Sequence, residues 1–384
     1  MAFTLNDALE LDIMQRFKLV AGKNGLHRPV SKVGILDHES GQTITDTFIE
    51  GEFTLASLLA VKDNVQELYP LVERLIDAGT ACLAIKTVYF DAVPSNVIDL
   101  ANRLNYPIFL FDVTYFEDII MVLNNAVKER QMTDQHAIRI EHMLQNEITG
   151  FQVRNFAFEL NRKFEDHHFV FYVERYEDQG NEYRLIQNIT KQINKSYVLS
   201  LIPFRKGVLG IVSLSQSEDN TIEQVDTLLS DLLKDQMVKY NIGFSQFYST
   251  IEGLKSSIEE SLNAFEYACI NERNSVQYTE MGIDRILLPL RQDPKVMDFY
   301  NQLIKPIMEY DREHGTDLLK TAEAYVMYKG DFKETAKSLY QHGNTIRYRI
   351  EKIKQLMKQH SKGEYTYEEL AVAIRLHRIY RKVK

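Results

Sequence analysis

Residues 331–357, DFKETAKSLYQHGNTIRYRIEKIKQLM, restrict the fold of this chain more than any other stretch. Gly330 is typical of a helix end, because glycine adopts the left-handed C′ conformation at little cost. Asp331 is a suitable N-cap, and Glu334 follows it at capping-box spacing. Residues 340–343 then suit a short turn. The pattern therefore predicts two short helices joined by a tight turn, which is the helix-turn-helix motif.

The second of these helices is amphipathic. Its apolar residues recur at spacings of four, three and four, so they share one helix face. They are Ile346, Ile350, Ile353 and Met357. The other positions carry polar and cationic side chains of the kind that reach base edges and phosphates in the major groove. The candidate DNA-contacting residues are Asn344, Thr345, Arg347, Tyr348, Arg349 and Lys352.

Some of these candidates have alternative roles. Tyr348 can pack against a neighbouring helix instead of touching a phosphate. One of Arg347 and Arg349 is expected to contact phosphate only, because phosphate contacts outnumber base contacts in most such interfaces. A lone His342 in a turn is typical of a polar turn residue rather than of a metal ligand.

Basic charge is concentrated at the same end of the chain. Residues 316–384 contain 15 Lys and Arg against 8 Asp and Glu, a net charge of +7, whereas the whole chain carries −9. A basic segment joined to an acidic body is the charge distribution expected of a DNA-binding module. Alternatively, the basic end binds an acidic protein partner, and then Arg347 and Arg349 would serve that complex.

Strand and helix patterns alternate in residues 1–120. Buried-strand patterns occur at 53–61, 80–86 and 107–112, with helical apolar spacing between them, and Pro94 opens the second helix. This order predicts a parallel sheet with right-handed crossovers. Sheets of this kind usually bind ligands at the carboxyl ends of their strands.

Three charged residues beside these predicted strands are candidates for lining a small-anion pocket, although plain surface charge is the alternative. They are Arg28, Glu52 and Lys86. Neither GxGxxG nor GxxxxGK occurs, so no nucleotide cofactor is expected. No metal site is expected either, because His167 and His168 would point to opposite faces of one strand.

The centre of the chain reads as a connector followed by a mixed domain. Residues 121–150 predict an amphipathic connector helix, a candidate dimer interface, whose apolar stripe fails near 130–135. Residues 151–274 predict an α+β domain. Its strands are expected at 167–174, 196–204, 208–216 and 241–246, and its helices at 221–239 and 253–269.

These motifs together resemble the PucR/CdaR-type transcriptional regulators. QHGNTIRYRIEKI is similar to the Fis-like C-terminal helix-turn-helix of that family, whose usual core reads H-R-N-T-V-R-Y-R-L, and Gly343 stands where the family usually has Arg. GLHRPV, GEFTL and AGTACLAI resemble the family's N-terminal domain. Residues 151–274 are similar to its GGDEF-like domain, but the GGDEF motif and its metal-binding carboxylates are missing, so cyclase activity is not expected.

The resemblance implies a multidomain fold with α/β, α+β and all-α parts. It implies an α/β sensory domain in 1–120, a connector in 121–150, a degenerate GGDEF-like domain in 151–274 and a helical DNA-binding domain in 290–384. The implied protein is a cytoplasmic, non-enzymatic regulator that binds a double-stranded operator as a homodimer or higher homo-oligomer. A small molecule such as a purine catabolite would be its effector. The alternative is an enzyme that binds or processes nucleotides through the middle domain.

Overall fold

The computed structural model describes residues 2–37, 47–175, 185–186, 188–190, 197–215, 221–234, 239–358 and 366–382. The chain divides into two compact units. The first is made chiefly of Met1–Glu147 and the second chiefly of Arg205–Lys384, with shorter stretches between them assigned to one or the other. None of the described helices is long and apolar enough to cross a membrane.

The first unit contains a five-stranded sheet in the order β1-β5-β4-β3-β2. Its strands are β1 Lys18–Ala21, β2 Lys32–Leu36, β3 Glu52–Ala56, β4 Cys82–Lys86 and β5 Ile108–Phe111. Strands β2 to β5 are parallel, as predicted for the last three, and β1 runs antiparallel to β5. The predicted strand over 53–61 is too long, because Leu58 takes a left-handed φ of 58° that ends the extended run.

Helices cover both faces of this sheet. They are α1 Leu5–Leu9, α2 Leu68–Asp77, α3 Ser95–Arg103 and α4 Phe116–Gln145. Val72, Leu75 and Leu100 lie in the core on the α2 and α3 side. Ile119 and Leu123 of α4 lie in the core on the other side. Because both faces are covered, β3, β4 and β5 are buried along nearly their whole length, as their apolar runs predict. The edge strand β2 is only partly buried, with Lys32 and Ile35 exposed.

The connector region is two helices. Helix α4 continues through residues 130–135, where the apolar stripe fails, and ends at Gln145, before the end predicted at 150. Helix α5, Gly150–Leu160, then starts at Thr149, whose side chain and that of Gln152 form a reciprocal capping box. The apolar stripe of α4 fails at Arg130, yet this arginine is only 7% exposed. The break in the pattern therefore marks a buried charge and not the end of the helix.

The second unit begins with a mixed α+β region. Its sheet has the order β10-β9-β6-β8-β7. The strands are β6 His167–Arg175, β7 Val198–Phe204, β8 Gly207–Leu214, β9 Tyr240–Phe244 and β10 Ser275–Gln277, and the helices after β8 are α6 Thr221–Lys234 and α7 Leu254–Ile270. The four predicted strands and two predicted helices are confirmed, with ends shifted by a few residues; positions 235–238 of the first helix lie outside the described residues. The short strand β10 was not predicted.

The C-terminal region is helical, as predicted. Its helices are α8 Asp284–Leu287, α9 Pro294–His314, α10 Leu318–Met327, α11 Phe332–Ser338, α12 Gly343–Lys358 and α13 Tyr367–Lys382. One apolar core joins α9, α10, α12 and α13, with Ile304, Ala322, Ile350 and Ala373 among its members. This core holds α11 and α12 on a helical scaffold.

Candidate nucleic-acid interface and ligand cavity

The start of α11 follows from its capping residues. Helix α10 ends at Met327, and Lys329, not Gly330 as predicted, takes the left-handed C′ position with a φ of 52°. Gly330 follows it with a φ of +83°, and its N–H donates to Tyr325 O at 2.8 Å. Asp331 Oδ1 accepts hydrogen bonds from the backbone N–H groups of Lys333 at 2.7 Å and Glu334 at 3.0 Å. The capping box expected with Glu334 is not completed, because the backbone N–H of Asp331 donates to Tyr328 O at 3.0 Å.

The turn between α11 and α12 has four residues, as predicted, but it covers 339–342 and so lies one residue earlier. Tyr340 takes a left-handed φ of 52°, and Gln341 N donates to Ala336 O at 2.9 Å, which closes α11. His342 then caps α12, because its Nδ1 accepts a hydrogen bond from Asn344 N at 3.2 Å. Gly343 is the first residue of α12, and a Cβ added there would meet nothing within 4 Å.

The inner face of α12 is fully packed. The four residues of the predicted stripe are at most 1% exposed and belong to the core that includes α9, α10 and α13. They are Ile346, Ile350, Ile353 and Met357. The predicted amphipathic helix is therefore confirmed, and this packing fixes which side chains face outward.

Three of the candidate DNA-contacting residues form the outer face of α12, which we define as Asn344, Arg347 and Tyr348. All three are exposed, and Tyr348 is 72% exposed. The alternative in which Tyr348 packs against a neighbouring helix is thus not what the structure shows. The Arg347 guanidinium lies 5.8 Å from the centre of the Phe332 ring, so α11 supports it from one side. Thr345 beside them is half-buried.

The other two candidates contact neighbouring helices. Arg349 is half-buried, and its Nη1 donates to Thr321 Oγ1 on α10 at 3.1 Å. The Lys352 ammonium lies 4.6 Å from the centre of the Tyr310 ring on α9. Each of these cations therefore has a place in the scaffold, which the sequence spacing did not reveal.

The three candidates for an anion pocket do not converge. Arg28 Nη2 donates to Thr80 O, just before β4, and Glu52 is the first residue of β3, so both lie at the amino edge of the sheet. Lys86 is the last residue of β4, where its ammonium lies 5.4 Å from the Tyr115 ring. A strand rises about 3.3 Å per residue, which puts roughly 13 Å between the two edges. A shared pocket of all three residues is therefore wrong.

Glu52 is held by other residues of the protein. It is 3% exposed, accepts a hydrogen bond from Ile49 N at 3.1 Å and lies 3.5 Å from the Lys32 ammonium. A Cβ on Gly34 would overlap the Glu52 carboxylate, so this glycine provides the space for the buried charge. These contacts account for Glu52 without a ligand.

A cavity of about 300 Å³ lies at this amino edge, between the turns before β2 and β3 and helix α4. Its lining includes Phe3, Val30, Gly51, Val127, Arg130 and Asp134. The cavity was not predicted from the sequence, although the predicted ligand residues Arg28 and Glu52 are next in sequence to the lining residues Pro29 and Gly51. The interruption of the α4 stripe at Arg130 was the signal that pointed to it. Among the described residues, no group of three or more His, Cys, Asp or Glu is placed to hold a metal ion.

Comparison with known families matches both ends of this chain. Residues 7–127 match the Purine catabolism regulatory protein-like family, and residues 318–376 match the PucR C-terminal helix-turn-helix domain. The second match contains α10, α11 and α12. The GGDEF-like middle domain is not among these matches.

Three proteins of Bacillus subtilis (strain 168) are similar to parts of this chain. The Proline-responsive transcriptional activator PutR is 31% identical over 30% of this chain and 29% of its own length. The DNA-binding transcriptional activator AdeR is 26% identical over 30% of this chain and 28% of its own. The Purine catabolism regulatory protein is 25% identical over 46% of this chain and 34% of its own. The chain thus matches about a third of each relative, and it carries both the N-terminal family domain and the C-terminal helix-turn-helix domain of the PucR-type regulators.

Proposed function

We propose that this protein is a transcriptional regulator that binds operator DNA through the outer face of α12. The observation that carries the proposal is the division of α12 into two faces. Its apolar residues are buried in the C-terminal core, and Asn344, Arg347 and Tyr348 are exposed on the opposite side. A helix held in this way, preceded by a short helix and a tight turn, has the form that enters a major groove.

The chemistry of the outer face suits base reading and phosphate contact. Asn344 can form paired hydrogen bonds with adenine, and Arg347 can do so with guanine or can contact a phosphate. The surrounding segment is basic, whereas the rest of the chain is acidic. The acidic remainder would keep the other surfaces away from DNA, so electrostatics favour approach through the C-terminal end.

We infer that two copies bind together. A single helix-turn-helix covers little surface, and specific affinity usually comes from two half-sites about 34 Å apart or a multiple of that distance. The expected operator is therefore an inverted repeat with that spacing, and a homodimer or higher homo-oligomer is the expected binding form.

We propose that residues 151–274 form a GGDEF-like domain without cyclase activity and that the protein is not an enzyme. The β7–β8 connection carries Arg205 and Lys206 where a metal-binding hairpin would need carboxylates. The family models and relatives matched by this chain are those of regulators, which supports a scaffolding or relay role for this domain.

We further propose that residues 1–120 sense a small metabolite, with 121–150 as the connector and 290–384 as the DNA-binding domain. One relative is named for its response to proline and another for purine catabolism. These names support a small-molecule effector for this chain.

The test is discrimination between two DNA duplexes. Fluorescence anisotropy would compare a duplex from the protein's own upstream region with a scrambled duplex of equal composition. We expect the wild type to prefer the first duplex and Asn344→Ala to lose about 1–3 kcal/mol of that preference. Asn301→Ala, an exposed asparagine on α9, is the matched control and should keep it. Equal affinity of the wild type for both duplexes would refute the proposal.

A further inference from the structure

Backbone hydrogen bonds join the segments that line the cavity at the amino edge of the first sheet. Val30 N donates to Phe3 O at 2.7 Å, and Ser31 N donates to Gly51 O at 2.7 Å. These bonds tie the chain terminus, the turn before β2 and the turn before β3 to one another. Helix α4 closes the remaining side with Val127, Arg130 and Asp134.

The charges around this cavity are of both signs. Arg130 lines it while being only 7% exposed, and Asp134 follows one helical turn later. Glu50 lies on the opposite rim. A cavity lined by one cation and two carboxylates would repel a simple anion overall, and a simple cation would face the buried guanidinium. A molecule that carries a negative and a positive group a short distance apart can pair with both the guanidinium and the carboxylates.

The remaining wall is apolar. Phe3, Val30 and Val127 line it and are each at most 4% exposed. A volume of about 300 Å³ is at the small end of ligand pockets, which run from roughly 300 to 1,000 Å³. The occupant is therefore small, and part of it is hydrocarbon.

We propose that this cavity binds a small α-amino acid in its zwitterionic form. The carboxylate is held by Arg130, the ammonium group by Asp134 with Glu50 nearby, and the side chain lies against Phe3, Val30 and Val127. Arg130 and Asp134 both have other interactions within the protein, and the ligand shares them. Arginine has five N–H donors, so it can bind a carboxylate and keep a second partner. The proposal deepens the proposed function, on which it rests, by naming the effector class and its site.

A ligand in this cavity would contact helix α4 directly. Four of its lining residues are on this helix, which is the next helix or strand after β5 and runs for 30 residues. The opposite wall is formed by turns that precede β2 and β3. A bound amino acid therefore links the edge of the sheet to the connector helix through paired charges on either side of the ligand.

Isothermal titration of the full chain with L-alanine, L-proline and L-valine tests this proposal. We expect saturable binding of at least one of them. Binding should weaken at least about tenfold for the corresponding amide, which lacks the carboxylate, and for the N-acetyl derivative, which lacks the ammonium charge. Hypoxanthine, a neutral purine base, should not compete. Binding of hypoxanthine alone, or of none of these probes, would overturn the proposal.

Three variants locate the site. Arg130→Gln and Asp134→Asn should each weaken amino-acid binding at least about tenfold, because each removes one charge partner. Lys128→Gln removes a charge from an exposed position on the same helix and should bind like the wild type. Asp134 is only half-buried, so Asp134→Asn tests the site even if Arg130→Gln fails to fold. Unchanged binding by folded Asp134→Asn would place the ligand elsewhere.

Operator binding of the same variants separates the two proposals. Asp134→Asn should bind operator DNA without ligand as the wild type does, while its response to the amino acid is lost. If the wild type binds the amino acid but no DNA, the proposed function fails and the cavity assignment stands. If it binds DNA but no amino acid, the cavity assignment fails and the proposed function stands.

Discussion

The outer face of α12 and the cavity beside α4 differ in shape and in how they hold charge. The outer face is convex, and its arginine is exposed. The cavity is concave, and its arginine is 7% exposed between apolar walls. An exposed cation suits a large, hydrated polyanion, because binding releases counterions. A buried cation suits one small carboxylate, because the surrounding low dielectric strengthens a single pairing. A substitution in one of these regions should therefore leave ligand binding by the other unchanged.

The largest expected effect comes from the packing beneath the outer face. Ile350 is 1% exposed in the C-terminal core, so Ile350→Ala should lower the free energy of unfolding by about 3 kcal/mol. Operator binding should fall with it, while amino-acid binding in the first unit persists. Urea unfolding measures the first effect. Ile138→Ala, at a position 69% exposed on α4, is the matched control and should change stability by less than about 0.5 kcal/mol. Equal losses in both variants would contradict the packing described for α12.

The next effect separates binding from stability. Arg347 is exposed, so Arg347→Gln should weaken operator binding about tenfold, or about 1.4 kcal/mol, with unfolding unchanged within about 0.5 kcal/mol. Anisotropy and urea unfolding on the same preparation measure the two quantities. A loss of stability without a loss of affinity would mean that Arg347 belongs to the scaffold.

Arg349 should behave in the opposite way. Its hydrogen bond to the buried Thr321 hydroxyl predicts that Arg349→Gln lowers the free energy of unfolding by about 1 kcal/mol. Operator affinity, measured well below the unfolding transition, should change less than it does in Arg347→Gln. If Arg349→Gln instead weakens DNA binding more than Arg347→Gln, the division of α12 into an outer face and scaffold contacts is incorrect.

The smallest effect concerns the turn of the motif. Tyr340 is 95% exposed and has a left-handed φ of 52°, which L residues adopt at a cost. Tyr340→Gly should therefore raise the free energy of unfolding by up to about 1 kcal/mol, with little packing lost. Tyr340→Ala keeps the Cβ and the strain, so it should give no such gain. A gain in the alanine variant equal to that in the glycine variant would exclude backbone strain as the cause.

The helix-turn-helix could be predicted from the sequence because its determinants are local. The spacing of Ile346, Ile350 and Ile353 fixes the buried face of α12 whatever surrounds it. Asp331 similarly caps α11 through N–H groups two and three residues away. The role of Arg349 could not be predicted, because it depends on Thr321, which is distant in sequence and reaches it only through the packing of α10.

The cavity of the first unit could not be predicted for a related reason. The strand patterns correctly predicted a parallel sheet, and in them Glu52 precedes one predicted strand whereas Lys86 ends the next. The parallel pairing of β3 with β4 therefore puts the two residues at opposite edges, so grouping them in one pocket was an error of interpretation. The cavity is lined by four separate stretches of chain, which sequence spacing cannot bring together. The sequence shows only that Arg130 interrupts the apolar stripe of α4.

The salt dependence of operator binding tests the central claim most directly. Wild type, Arg347→Gln and Lys128→Gln would be titrated with the upstream duplex by anisotropy at several salt concentrations. Each lost phosphate contact reduces the slope of log affinity against log salt by about 0.9. We predict a steep negative slope for the wild type and Lys128→Gln, and a slope shallower by about one unit for Arg347→Gln. An identical slope and an identical affinity in all three proteins would show that the outer face of α12 does not bind the DNA.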